Sequence, residues 1–198
     1  MNQQWMIYGC YGYSGELITA RAVQRGLRPI LAGRSQAKTA AVAERYRLPY
    51  RVFDLDDAAA LANNIADCRL VFHAAGPYSA TSLPMLHGCL KTGTHHLSLV
   101  GEIPMLEQMR RYDGQASAAG ILVAVGLGYD VHPTDCLALM LKRSLPDATH
   151  LTIAMDGPTS MSPGSYKELI QQVAEEPFWA RRSGELIESR PTTRKIDY

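Results

Sequence analysis

The sequence lacks any strong imbalance of charge. Its 198 residues include 20 basic and 19 acidic side chains, a formal net charge of +1. A balance this even provides no electrostatic footprint for nucleic acid or an anionic membrane surface. Long apolar runs are also missing, so we expect no transmembrane helix. Residues 1–9 have no basic segment followed by an apolar run, and they therefore do not predict a signal peptide.

Cysteine is scarce, and its four copies are widely spaced. Cys10, Cys68, Cys89 and Cys136 form no C-x-x-C pair. This spacing speaks against a zinc site and against a disulfide framework. We therefore expect four free thiols in a reducing cytoplasm. We also expect no metal site, because the adjacent histidines His95 and His96 are placed to pack or hydrogen-bond within a strand.

Short apolar runs alternate with helical patterns through the first 126 residues. Strands are predicted at 5–8, 28–33, 50–55, 69–76, 94–101 and 121–126. Helices are predicted between them at 14–26, 35–47, 56–65, 81–93 and 103–120. This alternation is typical of right-handed βαβ units. The predicted fold class is therefore α/β, a doubly wound parallel sheet with helices on both faces.

The pattern changes after Gly128. Here we predict a helix at 132–146, a strand at 149–157, a helix at 162–176 and a short strand at 184–189. A segment this short cannot bury a second core by itself. We expect a cofactor-binding domain at 1–128, followed at 129–198 by the incomplete opening part of a second α/β or α+β domain.

Three glycines lie between the first strand and the first helix. Gly9, Gly12 and Gly15 are spaced G-x-x-G-x-x-G instead of the usual G-x-G-x-x-G. The first lets the chain leave the strand, the second lets a pyrophosphate approach, and the third lets the helix pack closely. The N–H groups of the first helix can then face phosphate oxygens. A turn that needs only positive φ is the alternative. The residues between the glycines complete the predicted turn: Tyr11, Tyr13 and Ser14.

The end of the second strand distinguishes between cofactors. Proteins that prefer NAD usually carry an acidic residue there to hold the ribose hydroxyls. This sequence has instead Gly33, Arg34, Ser35 and Lys38, with no carboxylate. Two cations and a hydroxyl suit a 2′-phosphate, so the sequence predicts NADP(H). The alternative is that the two cations are solvated surface charges and Ser35 only caps a helix.

Two further strands end in residues that suit a dinucleotide. Asp54 follows the third strand, where it could meet an adenine amino group, although a turn or helix-cap role is equally open. Small residues follow the fourth strand and leave room for the pyrophosphate and the nicotinamide ribose. They are Ala74, Ala75, Gly76 and Pro77.

Several segments together resemble the saccharopine dehydrogenase-like family, and within it the bacterial trans-acting enoyl reductases. They are MIYGCYGYSGELI, LAGRS, VFDLDD, AAGPYS, TGTHHLSLVGEI, VGLGYDVHPTDCLA and SPGSYKE. The resemblance covers nearly the whole chain, with Cys10 where relatives commonly have alanine. It implies a Rossmann-type NADP-binding domain and a larger second domain that binds substrate and often dimerises. It also implies that the chain is a fragment of a longer protein.

The resemblance implies an oxidoreductase that transfers hydride from NADPH to a C=C or C=N bond. The substrate would be a small molecule, acyl- or lipid-like in the enoyl reductase branch, and a homodimer is the expected assembly. A proton donor is needed near the accepting atom. The candidates are Tyr78, Tyr129 and Asp130, with Glu102 a further polar group, while Asp130 and Asp135 have a helix-capping role as the alternative. The catalytic acid stays unassigned.

Two other functions stay open. One is a non-catalytic protein that binds NADP or dimerises, since a fold does not fix a function. The other is an amino-acid reductase, which would need an arginine clamp for the substrate carboxylate. Arg181 and Arg182 are candidates for such a clamp, in a segment that we predict to be an exposed turn.

Overall fold

The computed structural model describes residues 4–129, 131–154, 164–167, 170 and 178–189. The chain divides into two compact units, Met1–Asp156 and Gly157–Tyr198. The strands of the first unit are β1 (Trp5–Tyr8), β2 (Ile30–Gly33), β3 (Tyr50–Val52), β4 (Leu70–His73), β5 (His95–Ser98) and β6 (Val123–Ala124). Its helices are α1 (Tyr13–Gln24), α2 (Gln36–Tyr46), α3 (Ala58–Ile65), α4 (Tyr78–Thr92), α5 (Ile103–Arg110), α6 (Asp113–Ala118) and α7 (His132–Ser144).

The six strands form one parallel sheet in the order β3-β2-β1-β4-β5-β6. The predicted α/β fold with a doubly wound parallel sheet is therefore confirmed. The strand order reverses between β1 and β4, because β2 and β3 extend to one side and β4 to β6 to the other. In open α/β sheets a ligand binds at this reversal, at the carboxyl ends of the strands.

Both faces of the sheet are covered, because the strands are apolar on both sides. Met6 of β1 belongs to one core cluster with Val71 and Met85, while its neighbour Ile7 belongs to another with Leu31. All five of these side chains have zero exposure. The central strands are therefore held from both sides, which fixes the position of the loops at their ends.

Two of the predicted helices differ from the structure. The helix predicted at 103–120 is two helices, α5 and α6, and the break comes at Arg111 and Tyr112. The residues that follow, Asp113 and Gly114, are weak helix formers, and Tyr112 contacts His87 of α4 at 3.0 Å between hydroxyl and Nε2. The helix predicted from residue 81 begins earlier, at Tyr78, because Pro77 occupies its N-cap position, where no N–H is needed.

The second unit contains an antiparallel hairpin of β7 (Phe178–Arg182) and β8 (Glu185–Ser189). Ser183 and Gly184 form its two-residue turn, both with positive φ, as a hairpin with a type I′ turn requires. The short strand predicted at 184–189 is confirmed. The exposed turn predicted in the segment 178–185 is found at Ser183 and Gly184, but the arginines that flank it, Arg181 and Arg182, belong to β7, a strand that was not predicted.

The predicted strand at 149–157 is wrong over its described part. Residues 149–154 adopt no regular structure, since no described strand pairs with them, and residues 155–157 lie outside the described residues. The helix predicted at 162–176 is helical at 164–167 and 170, and its other residues lie outside the described part. The domain division after residue 128 stays a prediction.

Two fully buried histidines face each other between β4 and β5. The strand register places His96 beside Val71, two residues before His73, so both rings lie on the same face of the sheet. Their centroids are 5.9 Å apart in an edge-to-face arrangement. Among the described residues, none of their four ring nitrogens has a hydrogen-bond partner. Burial lowers the pKa of His73 to about 3, with His96 acting in the same direction and the Ala75 backbone opposing. Burial alone lowers the pKa of His96 to about 4.

Mild acid is expected to destabilise this fold through the buried histidine pair. In the unfolded chain each imidazole binds a proton below its ordinary pKa of 6.5, while the folded chain keeps both rings neutral. The free energy of unfolding therefore keeps its full value above the ordinary pKa of 6.5 and decreases as the pH drops towards 4. Between pH 7.5 and 5 the loss should reach about 2 kcal/mol per histidine.

Urea unfolding at pH 7.5 and pH 5 measures this effect in His96→Leu and in the wild type. The variant should lose less stability on acidification than the wild type, whatever its stability at pH 7.5. His150→Gln removes an exposed histidine and serves as the control. An equal acid loss in His96→Leu and the wild type would contradict the role of the pair.

Candidate dinucleotide-binding site

The turn after β1 is held by backbone hydrogen bonds to its neighbours. The N–H groups of Gly9 and Cys10 both donate to the Ala32 carbonyl of β2, at 2.8 and 3.2 Å. On the other side, the Ala74 N–H donates to the Tyr8 carbonyl at 2.8 Å. The turn therefore lies at the point where the strand order reverses, between the ends of β2 and β4.

Gly9 and Gly15 of this turn are required by close contacts that leave no room for a Cβ, and not by φ angles alone. Gly9 has φ +87°, and a Cβ there would lie 2.8 Å from the Ala74 carbonyl carbon and oxygen and from the Ala75 nitrogen. A Cβ on Gly15 would lie 2.1 Å from the Gly9 carbonyl oxygen. Gly12 has φ −76°, and its Cβ would meet only the Gly9 oxygen at 3.3 Å and the Ala74 oxygen at 3.8 Å. The alternative based on positive φ alone therefore fails for Gly12 and Gly15, and Gly12 suits the close approach of a ligand.

The first turn of α1 leaves backbone N–H groups available to an anion. Gly12 is the N-cap, so no side chain caps the helix, and the first hydrogen bond inside it runs from the Glu16 N–H to the Gly12 carbonyl. The N–H groups before Glu16 have no acceptor within the helix. Tyr13 is exposed and Ser14 half-buried at this end. The Glu16 carboxylate is paired with Arg45, which reduces its repulsion of a phosphate.

Cys10 has a structural place in this turn. Its thiol is fully buried, and burial raises its pKa to about 11. The thiol is therefore neutral and unreactive at physiological pH. All four cysteines of the chain are free, three of them buried and Cys136 exposed.

The loop after β2 presents two cations and a hydroxyl. Arg34 and Lys38 are exposed, and the described residues provide neither with a salt bridge. Ser35 occupies the N-cap of α2, but its side chain makes no capping hydrogen bond. These features favour anion binding over the alternative of a cap with two solvated charges. Gly33 is buried beneath them at the end of the strand.

Asp54 lies in an exposed turn after β3. Its Oδ1 accepts a hydrogen bond of 3.3 Å from the Asp56 N–H, while Asp57 caps α3 by accepting from Ala59 and Ala60. Nearby, the Tyr8 hydroxyl donates to the Phe53 carbonyl at 3.1 Å. Burial raises the pKa of Tyr8 well above its usual value; the charge of Asp54 adds to this, while that of Arg34 opposes it. Charged residues that follow β2 and β3 therefore lie close enough to the end of β1 to act on Tyr8.

The loop after β4 forms the opposite wall. Ala74 is buried beneath Gly9, whereas Gly76 and Pro77 are exposed and joined by a cis peptide bond. The Thr81 hydroxyl lies 2.6 Å from the Ala75 carbonyl and 3.0 Å from the Pro77 carbonyl. Thr81 was not among the predicted site residues, since a threonine inside a helix carries no sequence signal for such a contact.

The candidate catalytic residues that the structure describes differ in their surroundings. Tyr78 is buried, and its ring packs against His73 at 5.6 Å, within the core. Tyr129 is 60% exposed, and Asp130 lies outside the described residues. Glu102 is the N-cap of α5, and its carboxylate accepts a hydrogen bond from the Gly101 N–H at 3.1 Å. The catalytic roles of these residues stay predictions, as does an Arg181–Arg182 clamp.

The sheet order, the glycine turn and the uncapped helix α1 together define a Rossmann-type dinucleotide-binding domain. The family model described as the saccharopine dehydrogenase NADP binding domain matches residues 5–124. The chain therefore belongs to the saccharopine dehydrogenase NADP-binding family, and its cofactor is NADP(H). This match spans all six strands of the parallel sheet.

Curated relatives include enoyl reductases and saccharopine dehydrogenase-like proteins. A trans-acting enoyl reductase of Mycobacterium ulcerans (strain Agy99) is 29% identical over 153 residues, covering 73% of this chain and 37% of that protein. A saccharopine dehydrogenase-like oxidoreductase of Mus musculus is 22% identical over 160 residues, covering 71% and 37%. The chain thus spans about 37% of the length of these relatives.

Solved structures show the same fold. The apo saccharopine dehydrogenase (L-Glu forming) from Saccharomyces cerevisiae matches with a TM-score of 0.65 at 20% identity, over 74% of this chain and 32% of that one. Within the described residues, no helix is long and apolar enough to cross a membrane, and no cluster of three or more potential metal ligands occurs.

Gly15→Ala is expected to disrupt the turn. The added Cβ would lie 2.1 Å from the Gly9 carbonyl oxygen, a backbone atom that cannot move independently. Overpacking of this kind should lower the free energy of unfolding by about 2 kcal/mol or more. NADPH affinity should fall as well, because α1 would be displaced from the turn.

Gly114→Ala is the matched control, because a Cβ there would meet nothing within 4 Å. In helix α6 this change should raise stability by up to about 1 kcal/mol. Urea unfolding of both variants measures the difference. If Gly15→Ala proved as stable as the wild type, the described packing of the turn would be wrong.

Proposed function

We propose that this chain is the cofactor-binding part of an NADP(H)-dependent oxidoreductase that delivers hydride to a C=C or C=N bond. One observation carries the proposal. An uncapped helix N-terminus lies beside a strand end that has no carboxylate and carries two cations, Arg34 and Lys38, for which the described part of the chain offers no salt bridge. The first feature suits a pyrophosphate and the second a 2′-phosphate.

In this proposal, two loops bind different parts of the cofactor. The N–H groups of residues 13–15, at the start of α1, would hold the pyrophosphate, and the absence of a Cβ at Gly12 leaves room for that approach. Arg34 would bind the 2′-phosphate with its planar fork, Lys38 with a point charge, and Ser35 with its hydroxyl. Asp54 would accept a hydrogen bond from the adenine amino group.

The far end of the site would hold the nicotinamide ribose. The loop from Ala74 to Pro77 has only small or compact side chains, and the Thr81 hydroxyl lies within hydrogen-bonding distance of two of its carbonyls. When bound, NADPH supplies the hydride. This chain's part is to position the cofactor. We assign no catalytic acid, because Tyr78 is buried in the core and Tyr129 is 60% exposed.

The names of the relatives suggest the substrate class. One is a trans-acting enoyl reductase and another a saccharopine dehydrogenase-like oxidoreductase. The enoyl reductase matches at 29% identity and the second at 22%, so we favour the reduction of a C=C bond in an acyl- or lipid-like small molecule. A homodimer and a cytoplasmic location complete the proposal.

Titration with NADPH and NADH tests the cofactor site. NADPH should bind more tightly, and Arg34→Ala should weaken NADPH by about tenfold or more, since a charge-assisted contact to phosphate is lost. NADH affinity should be unchanged, because NADH has no 2′-phosphate. Isothermal calorimetry or nicotinamide fluorescence gives both dissociation constants.

Arg69→Ala is the control, since Arg69 is exposed and precedes β4, at the amino ends of the strands and away from the carboxyl ends that form the proposed site. It should leave both dissociation constants as in the wild type. A matching fall in NADPH and NADH affinity in Arg34→Ala would remove the 2′-phosphate role. Failure of the folded wild type to bind either cofactor would refute the proposal as a whole.

A further inference from the structure

The Tyr11 ring joins the two loops of the proposed cofactor site. Tyr11 belongs to the glycine turn, but its ring lies against Gly33 at the end of β2. A Cβ on Gly33 would lie 2.5 Å from Cε1 of Tyr11 and 3.2 Å from Cδ1. The ring therefore occupies the space that any other residue at position 33 would need.

The same ring lies beneath one of the two exposed cations. The Lys38 ammonium nitrogen is 5.8 Å from the centre of the Tyr11 ring, within the range of a cation–π interaction. The described residues offer Lys38 no salt bridge that would compete with this contact. The Tyr11 ring is thus the aromatic contact that restrains an otherwise exposed side chain.

The two partners differ in rigidity. Tyr11 is half-buried and packs against the core cluster that contains Ile7, Leu31 and Val42. Lys38 is exposed on α2 and carries a long side chain with many rotamers. A fixed ring next to a flexible cation lowers the entropy that the cation loses when it binds a phosphate.

We propose that Tyr11 is a positioning residue that strengthens the preference for NADP(H) over NAD(H) by holding Lys38 at the 2′-phosphate position. The inference rests on the proposed function, because it assumes that Lys38 contacts this phosphate. It assigns to Tyr11 a role in selectivity beyond its place in the pyrophosphate turn. Neither the glycine spacing nor the cations after β2 identify that role.

A double-mutant cycle tests the proposal. NADPH and NADH dissociation constants are measured for the wild type, Tyr11→Leu, Lys38→Met and the double variant. Tyr11→Leu should lower the preference for NADPH, measured as the ratio of the NADH and NADPH dissociation constants, by about threefold, in keeping with a cation–π contact at an exposed site. In the Lys38→Met background, Tyr11→Leu should have no further effect on that ratio.

Two other variants separate positioning from packing. Tyr11→Phe keeps the ring and should keep the wild-type ratio of the two dissociation constants. Tyr112→Leu removes another half-buried tyrosine, at the break between α5 and α6, and should not change that ratio. Thermal unfolding establishes that each variant is folded. If Tyr11→Leu does not fold, Tyr11→Met replaces it in the cycle.

Two results would overturn the inference while leaving the proposed function intact. One is an equal loss of NADPH and NADH affinity in Tyr11→Leu, which would mean that the ring only shapes the turn. The other is full additivity of the Tyr11 and Lys38 effects on NADPH. Two other results would refute the 2′-phosphate assignment in the proposed function, and with it this inference. They are a wild type that shows no preference for NADPH and a Lys38→Met variant that binds NADPH as tightly as the wild type.

Discussion

The close approach of Gly9 to the Ala74–Ala75 peptide is the constraint on which the cofactor site depends. A Cβ at Gly9 would lie 2.8 Å from three backbone atoms of that peptide, and one at Gly15 would lie 2.1 Å from the Gly9 carbonyl. The loop after β1, the loop after β4 and the start of α1 are therefore packed backbone against backbone. This packing brings the helix N-terminus to the reversal of strand order, where a dinucleotide binds.

Electrostatics adds the selectivity that steric packing cannot provide. The pyrophosphate turn would serve any dinucleotide. Arg34 and Lys38, which form no salt bridge within the described residues, suit one with an extra phosphate. Tyr11 connects these two functions, because it belongs to the turn and its ring lies beside Gly33 and Lys38. The site is thus one assembly of two loops.

Sequence patterns predicted the six strands of the sheet and the glycine turn, because both depend on local periodicity and on residues that tolerate close approach. The break at Tyr112 was not predicted: the weak helix formers Asp113 and Gly114 indicate it only in part, and it accompanies a contact with His87 across two helices that the sequence does not show. Strand β7 was not predicted, because it forms by pairing with β8 and its own sequence does not indicate that pairing. The alternating apolar pattern at 149–154 predicted a strand, but no described strand pairs with these residues. The Tyr11–Lys38 contact depends on side-chain rotamers, which no spacing encodes.

The two-loop site is tested most directly by hydrogen–deuterium exchange of the wild-type chain with NADP⁺ and with NAD⁺. NADP⁺ should slow exchange in peptides covering residues 9–16 and in those covering 33–38. NAD⁺ should protect the first segment and leave the second unchanged, because it has no 2′-phosphate for Arg34 and Lys38. Equal protection of residues 33–38 by both cofactors, or no protection of 9–16 by either, would contradict the account.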